Sequence, residues 1–156
     1  MTISSRLKSY LEERGVAYDV LVHPHTSTSS QSAHAAHIPS ARMAKCVVVH
    51  HETGYVLAVV PSTHRVELGT LQDVLDRRLG LATEKEIATL FNDCDVGAIP
   101  PLGGAYDIPV IVDDSIAEAP EVFFEGGDHE TLVHVSGDDF RSLTKDAQRS
   151  RFSHLA

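Results

Sequence analysis

Two long apolar runs near the middle of the chain constrain its fold more than any other feature. Residues 45–51 read KCVVVHH and residues 54–61 read GYVLAVVP, with a short turn at Gly54 between them. Valine-rich runs that flank a glycine turn are typical of paired strands, because branched side chains suit an extended backbone. The pattern therefore predicts a β-hairpin in the core of a sheet.

Further helices and strands surround this hairpin in an irregular order. Apolar spacing predicts helices at residues 3–11, within 26–38, at 66–79, 83–91 and 138–143, and strands at 17–24, 108–113, 121–125 and 131–136. Because these elements are interleaved without a regular alternation, we expect an α+β fold in which helices flank a mixed β-sheet. We expect a single domain over residues 1–156, with a polar segment at about 145–156 that frays.

Composition narrows the class of protein. The chain has 156 residues, a formal net charge of -9 and two cysteines. An acidic surface repels nucleic acid at long range, so DNA binding is not expected, although a local contact with a nucleotide end is compatible with this charge. No apolar run is long enough to span a bilayer, and the polar N-terminal segment is unlike a signal peptide. We expect a cytoplasmic protein with reduced thiols and no membrane partner.

A loop rich in proline and glycine precedes one predicted strand. Residues 95–104 read DVGAIPPLGG. Proline fixes the backbone angle φ, while glycine lets another group approach the backbone closely. Rigid backbone amides beside a glycine can face an anion or a developing oxyanion without reorganising. From the loop alone, a structural turn that closes one edge of the sheet is the simpler interpretation.

A lysine stands directly before the first apolar run. Lys45 follows the segment ARMA and precedes CVVV. A lysine at the start of a buried strand projects a positive charge over that end of the sheet, although an ordinary solvated lysine is a common alternative. Arg42 and Arg65 would join Lys45 in a small positive patch, or would be plain surface charges.

Together these segments resemble a known family. They are AKCVVVHHETGYVLAVVPSTHRVELGTL, DVGAIPPLGGAYDIPVIVDDSI and EVFFEGGDHETLVHVSGDDF, in this order. The chain from about His23 to Phe140 resembles the YbaK family of aminoacyl-tRNA editing domains, which includes the editing module inserted in bacterial prolyl-tRNA synthetases. The most specific parts of the resemblance are Lys45 and the Gly-x-x-x-Pro loop from Gly97 to Pro101.

The resemblance implies an enzyme that hydrolyses the ester between a wrong amino acid and the 3′ end of tRNA. It implies that Lys45 contacts the phosphate and ribose of the terminal adenosine, and that backbone amides of Gly97, Ala98 and Ile99 bind the carbonyl oxygen. It also implies no metal and no cofactor. The partners would be the acceptor end of mischarged tRNA and an aminoacyl-tRNA synthetase. An aminoacyl ester is already activated, so positioned water and an oxyanion site would suffice, with the substrate's 2′-hydroxyl as proton shuttle.

Further substrate-binding residues are expected by the same resemblance. They are His25, Pro100, Pro101, Gly103, Gly126, Gly127 and His129. Arg65 is added to the substrate-binding residues for its charge alone, since the resemblance does not include it. Many family members have serine before the proline of the loop and an aromatic residue after it, where this chain has Pro100 and Leu102. This departure leaves the identity of the removed amino acid open.

Other functions are compatible with the same sequence. The chain could be a non-catalytic module that binds an amino acid, a nucleotide or a protein in the same cleft, or a hydrolase of other activated esters or thioesters. His34 and His37 lie three residues apart on one predicted helix and could share a face. However, no His-Glu-x-x-His or Cys-x-x-Cys pattern occurs, so no metal site is expected.

Overall fold

The computed structural model describes residues 3–156, which form six α-helices and ten β-strands. The helices are α1 (Ser5–Glu13), α2 (Ser29–Ala35), α3 (Leu68–Leu75), α4 (Glu84–Leu90), α5 (Asp114–Ala117) and α6 (Gly137–Leu143). The strands are β1 (Asp19–Val22), β2 (Met43–His51), β3 (Gly54–Pro61), β4 (His64–Val66), β5 (Gly80–Leu81), β6 (Val110–Asp113), β7 (Glu121–Glu125), β8 (Thr131–Ser136), β9 (Gln148–Ser150) and β10 (Ser153–Leu155). Two 3₁₀ turns, Ser40–Arg42 and Gly103–Tyr106, complete the set.

A mixed sheet of eight strands forms the centre of the fold. Seven strands lie in the order β1-β8-β7-β2-β3-β6-β9, and β5 pairs with β2. The β2–β3 hairpin is antiparallel, whereas the β2–β7 and β3–β6 pairs are parallel. The predicted α+β fold with a mixed sheet, and the predicted central hairpin, are therefore confirmed.

Helices cover both faces of this sheet. Side chains alternate between the faces of a strand, so Ala44 and Val48 of β2 face a core shared with α1, α5 and α6. Val49 faces a second core with Leu71 of α3 and Phe152. A third, smaller core packs α2 against β2, β7 and β8. By the same alternation Lys45 lies on the face of the sheet that carries α2 and α3.

Side-chain caps fix where several helices begin. Thr83 and Glu86 form a capping box at the start of α4, with each side chain bonded to the other residue's backbone N–H. The hydroxyl of Ser136 accepts a hydrogen bond from the Asp139 N–H at the start of α6. These caps explain why the observed starts of α4 and α6 lie within one residue of the starts predicted from the sequence.

Two predictions about individual segments are wrong. The helix predicted over residues 66–79 is shorter, because Val66 belongs to β4 and the left-handed Asp76 ends α3. The segment at 145–156, expected to fray, instead forms two strands, with β9 beside β6 and β10 beside β4. Phe152 between them is fully buried, which anchors the segment.

None of the helices within residues 3–156 is both long and apolar enough to cross a lipid bilayer.

Candidate functional site

The candidate site lies where the parallel strands β2 and β7 separate. Their paired residues include Ala44 and Phe124, so Lys45 and Glu125 are the next residues along the two strands. Strand β7 ends at Glu125, whereas β2 continues to His51. The proline- and glycine-rich loop enters this gap, where the Cys46 thiol donates a hydrogen bond to the Ile99 carbonyl, with 3.5 Å between sulfur and oxygen. Gaps of this kind at strand ends are common ligand sites.

Gly97 is the one residue of the segment 97–103 that is exposed to solvent, since residues 98–103 are all buried. Its φ of 88° lies in the left-handed region that favours glycine. The Ala98 N–H donates to the Asp95 carbonyl at 3.0 Å, so Ala98 is not an available amide donor, contrary to expectation. Within residues 3–156 the N–H groups of Gly97 and Ile99 have no such partner. Gly97 thus presents an open backbone donor at the surface of the gap.

His129 holds this loop from the other side. It follows β7 in a left-handed conformation with φ of 61° and is buried. Its Nε2–H donates to the carbonyl oxygen of Val96 at 2.7 Å. The carbonyl and N–H of a trans peptide point in opposite directions, so this bond fixes the Val96–Gly97 peptide with its N–H directed away from His129. His129 therefore orients the open amide of Gly97.

A side chain at Gly97 would be crowded by its neighbours and strained by the left-handed backbone. A Cβ at this position would lie 3.1 Å from His129 Cε1 and 3.2 Å from the carbonyl oxygen of Ser27. The loop, the turn at His129 and the segment before α2 therefore converge on one glycine. The exposed ring of His25 packs edge-on against His129, with 5.6 Å between the ring centroids. An open pocket of about 620 Å³ begins at His25 and extends along α2.

Glu125 is a buried acidic residue that lies close to His129 and Ser32. Its side chain is 1% exposed, and its Oε2 accepts a hydrogen bond from Ser32 Oγ of α2 at 3.3 Å. His129 Nδ1 lies 3.5 Å from the same Oε2, while Oε1 has no partner within the described chain. Burial raises the pKa of Glu125 to about 8; the Ser32 hydrogen bond opposes this shift and Asp128 adds to it. The sequence analysis missed Glu125, although an acid closing the apolar run EVFFE is an unusual feature.

Lys45 supplies the positive charge of the gap. It is partly buried, and burial together with the nearby guanidinium of Arg65 lowers its pKa. Arg65 is exposed on β4, opposite His154 of β10. Neither Lys45 nor Arg65 forms an ion pair with a residue of the described chain, whereas Arg42 is bound to Glu121. The positive charges without an ion-pair partner here are thus Lys45 and Arg65, and the alternative of a surface charge outside the patch applies to Arg42.

Several glycines expected to bind substrate are buried under other parts of the chain. A Cβ on Gly126 would meet Ile3 at 2.8 Å, and both its N–H and its carbonyl are used by Thr131 and Ser4. The Gly127 carbonyl accepts from the Asp95 N–H. These two residues therefore support the loop instead of facing the gap.

Gly103, Pro100 and Pro101 are also enclosed by other parts of the protein. A Cβ on Gly103 would lie 2.3 Å from the Ile108 carbonyl oxygen, so only glycine fits there. Pro100 and Pro101 are buried with the rest of the loop. In this structure they stiffen the path of the chain and are not open to a ligand. His37, expected to share a helix face with His34, lies beyond the end of α2 in a left-handed conformation.

Comparisons with known proteins point to one family. A family model described as "Aminoacyl-tRNA editing domain" matches residues 23–143. A solved structure of a candidate trans-editing enzyme for prolyl tRNA synthetase is similar, with a TM-score of 0.84 and 27% identity over 96% of this chain and 95% of that chain. A structure from the computational grafting of linear epitopes onto scaffold proteins has a TM-score of 0.85 and 27% identity over 97% of each chain. A hypothetical protein with a TM-score of 0.85 and 21% identity, over 96% of this chain and 100% of that chain, supports the fold alone. No curated protein matches the chain.

Proposed function

Because this chain belongs to the aminoacyl-tRNA editing domain family, we propose that it is a hydrolase that cleaves the ester bond of mischarged aminoacyl-tRNA in trans. The observation that carries the proposal is the N–H of Gly97, which lies on an exposed glycine of a fixed loop and has no backbone partner within residues 3–156. Lys45, at the end of the β2–β7 pairing, adds a positive charge without an ion-pair partner in the same part of the chain. An aminoacyl-tRNA has groups that suit both features. Its ester carbonyl develops negative charge during hydrolysis and would accept from the amide, and the phosphate of the same terminal nucleotide would bind the lysine.

The loop stabilises the developing oxyanion. When water attacks the ester carbonyl, its oxygen gains negative charge, and the Gly97 N–H donates a hydrogen bond to it. The Ile99 N–H is a second donor without a backbone partner, although Ile99 itself is buried. Because the buried prolines and the His129 hydrogen bond already fix the loop, little reorganisation is needed at the moment of reaction.

The nucleophile is water, and the substrate assists the reaction. The 2′-hydroxyl of the terminal ribose lies next to the ester and relays the proton from water to the leaving oxygen. Cys46 is not the nucleophile, because burial raises its pKa well above the ordinary value and the reactive thiolate is therefore disfavoured. The reaction balances as ester plus water giving a free amino acid and a free 3′ end, with no metal or cofactor.

Lys45 and Arg65 bind the negatively charged end of the tRNA. A lysine side chain acts as a compact positive charge toward phosphate. Exposed Arg65 extends that charge along the β4–β10 edge. His25 and the open pocket beside it receive the aminoacyl group or the terminal base. With a net charge of -9 for the whole protein, a synthetase partner in the cytoplasm adds the remaining affinity for tRNA.

The proposal predicts that Lys45→Ala lowers kcat/KM for a mischarged tRNA by about 10- to 100-fold, because a charge-assisted hydrogen bond is lost. The experiment incubates purified protein with a panel of mischarged tRNAs and measures deacylation above the spontaneous rate. Lys85→Ala is the matched control, since Lys85 is an exposed lysine on α4, outside the gap. If no aminoacyl-tRNA is hydrolysed faster than in buffer, the enzymatic function is wrong.

A negative result in that panel would direct attention to the alternative, a binding module that uses the same cleft. Thermal shift with amino acids and nucleotides would then measure ligand binding. Binding that survives Lys45→Ala would exclude the cleft described here as the site.

A further inference from the structure

We propose that Glu125 is a positioning residue of the site, which acts through His129 to hold the Val96–Gly97 peptide and through Ser32 to connect this peptide to α2. The inference rests on the proposed function for its catalytic consequence, but the positioning itself is a property of the folded chain. Glu125 does not touch the gap, since its side chain is 1% exposed.

The geometry forms a continuous chain of polar groups. Ser32 Oγ bonds Glu125 Oε2 at 3.3 Å, His129 Nδ1 lies 3.5 Å from that oxygen, and His129 Nε2 bonds the Val96 carbonyl at 2.7 Å. His129 Nδ1 and Glu125 Oε1 are both buried, and neither atom has a hydrogen-bond partner in residues 3–156. Buried polar atoms are rarely left without a partner, and a distance of 3.5 Å needs to close by only about 0.5 Å to become a hydrogen bond.

The hydrogen on the His129 ring decides what Glu125 must do. A carbonyl oxygen only accepts hydrogen bonds, so the contact with Val96 requires a hydrogen on Nε2. In the neutral ring Nδ1 is then an acceptor and a protonated Glu125 donates to it, whereas in the charged ring Nδ1–H donates to an ionised Glu125. In both forms one proton lies between Nδ1 and the Glu125 carboxyl group. Loss of that proton leaves two acceptors facing each other. If the ring moves its hydrogen to Nδ1 to relieve this conflict, the donor to Val96 is lost and the loop is released.

The surroundings keep the carboxyl protonated at neutral pH. Burial and Asp128 raise the pKa of Glu125 to about 8, while Ser32 opposes the rise. The other titratable groups around it are Lys45 on the neighbouring strand, Cys46 behind the loop, and His25 against the His129 ring. The protonated, donating form of Glu125 is therefore the form present when the loop is held.

The connection to Ser32 extends the chain of contacts to α2. Ser32 is buried, and its hydroxyl also lies 2.6 Å from Thr26 Oγ1. Thr26 in turn bonds the His129 backbone, with 3.3 Å between its nitrogen and the His129 carbonyl oxygen. Helix α2 lines the open pocket beside His25. The Glu125 carboxyl group thus links helix α2, which lines the pocket, to the Val96–Gly97 peptide through His129.

The first experiment follows the Gly97 amide by NMR in the full-length protein between pH 6 and 10. In the wild type we expect the Gly97 peak to shift in one transition centred near pH 8. Glu125→Gln should abolish this transition, because an amide nitrogen in the place of Oε2 donates to Nδ1 and to Ser32 Oγ at every pH, while the Ser32 hydroxyl donates to Thr26 Oγ1. Glu130→Gln is the matched control, since its side chain makes no hydrogen bond or ion pair in the described chain and it should titrate as the wild type does. An unchanged Gly97 transition in Glu125→Gln would overturn the proposal.

The second experiment measures kcat/KM on a mischarged tRNA over the same pH range, with spontaneous hydrolysis subtracted. The wild type should lose activity above about pH 8, while Glu125→Gln should keep a flat profile there. Glu125→Ala, which can neither donate nor accept, should lose about 100-fold at all pH values because the peptide is displaced. If Glu125→Gln falls with pH as the wild type does, Glu125 is only structural. If the wild type itself has no activity, the proposed function fails, and the Gly97 titration still decides the positioning role.

Discussion

Among single residues, Gly97 is the position of the candidate site at which a side chain is opposed for two separate reasons. Two independent constraints act on it, a left-handed backbone with φ of 88° and close approach of His129 and Ser27. Gly15 shares the first constraint with φ of 65°, but a Cβ added there would have no neighbouring atom within 4 Å. This pair of glycines allows the two effects to be separated.

We predict that Gly97→Ala lowers deacylation kcat/KM by about 100-fold, because displacing the loop misaligns its amide donor. Gly15→Ala should cost about 1 kcal/mol in the free energy of unfolding through backbone strain alone and leave kcat/KM unchanged. Urea denaturation and single-turnover deacylation of both variants measure the two quantities. Equal activity of the two alanine variants would show that the contacts at Gly97 are unimportant.

The resemblance indicated Lys45, Gly97 and His129, but it did not indicate Glu125. Lys45 and Gly97 were predicted because each stands at a fixed place in a recognisable segment. Glu125 was missed, since burial against Ser32 and His129 depends on contacts between distant parts of the chain. The occupied N–H of Ala98 could not be foreseen either, because it depends on the exact path of a turn.

At the scale of elements, local patterns predicted the long strands and the capped helices but not the short strands. Strands β4, β5, β9 and β10 have only two or three residues each, too few for a period to be visible. Each exists because of a partner far along the chain, as β10 pairs with β4. Their presence explains both the shortened α3 and the ordered C-terminal segment.

Asp113 connects two of these elements. Its side chain caps α5 by accepting hydrogen bonds from Ser115, and it accepts the Phe152 N–H at 2.8 Å. Burial alone would raise its pKa, but the hydrogen bonds from Ser115 and Phe152 outweigh this effect and lower it. The ionised carboxylate therefore stabilises both α5 and the segment between β9 and β10.

We predict that Asp113→Asn lowers the free energy of unfolding at pH 7 by about 1–3 kcal/mol, because its amide nitrogen faces backbone donors. Asp114→Asn, an exposed neighbour without a described side-chain partner, should change it by less than about 0.5 kcal/mol. Since the folded pKa of Asp113 lies below 3.8, its contribution is present above that pH and is lost as the pH falls through the folded value. Urea unfolding at pH 7 and pH 3 should therefore show a smaller effect of Asp113→Asn in acid.

At the scale of the whole molecule, the buried carboxyl of Glu125 makes stability depend on pH. Its pKa is raised from 4.5 to about 8, so between these values the folded state holds one more proton than the unfolded state. Stability from this group is fully present below pH 4.5 and is lost as the pH rises through 8. The cost is about 1.4 kcal/mol for each pH unit in that window.

We predict that Glu125→Gln removes this cost. The free energy of unfolding of the variant, relative to the wild type, should rise by about 1.4 kcal/mol per pH unit between pH 5 and 8. Urea denaturation of both proteins at four pH values measures the difference. A difference that does not change with pH would mean that Glu125 ionises in the folded protein as readily as in the unfolded chain.

The burial of residues 98–103 has a practical consequence for redesign. Substitutions at the proline pair would move the backbone without offering the ligand a new surface. Two exposed side chains near this glycine are Val96, its neighbour in the chain, and His25, whose ring packs against His129. An attempt to change which amino acid is accepted should therefore begin with libraries at these two positions and leave the inner part of the loop as it is.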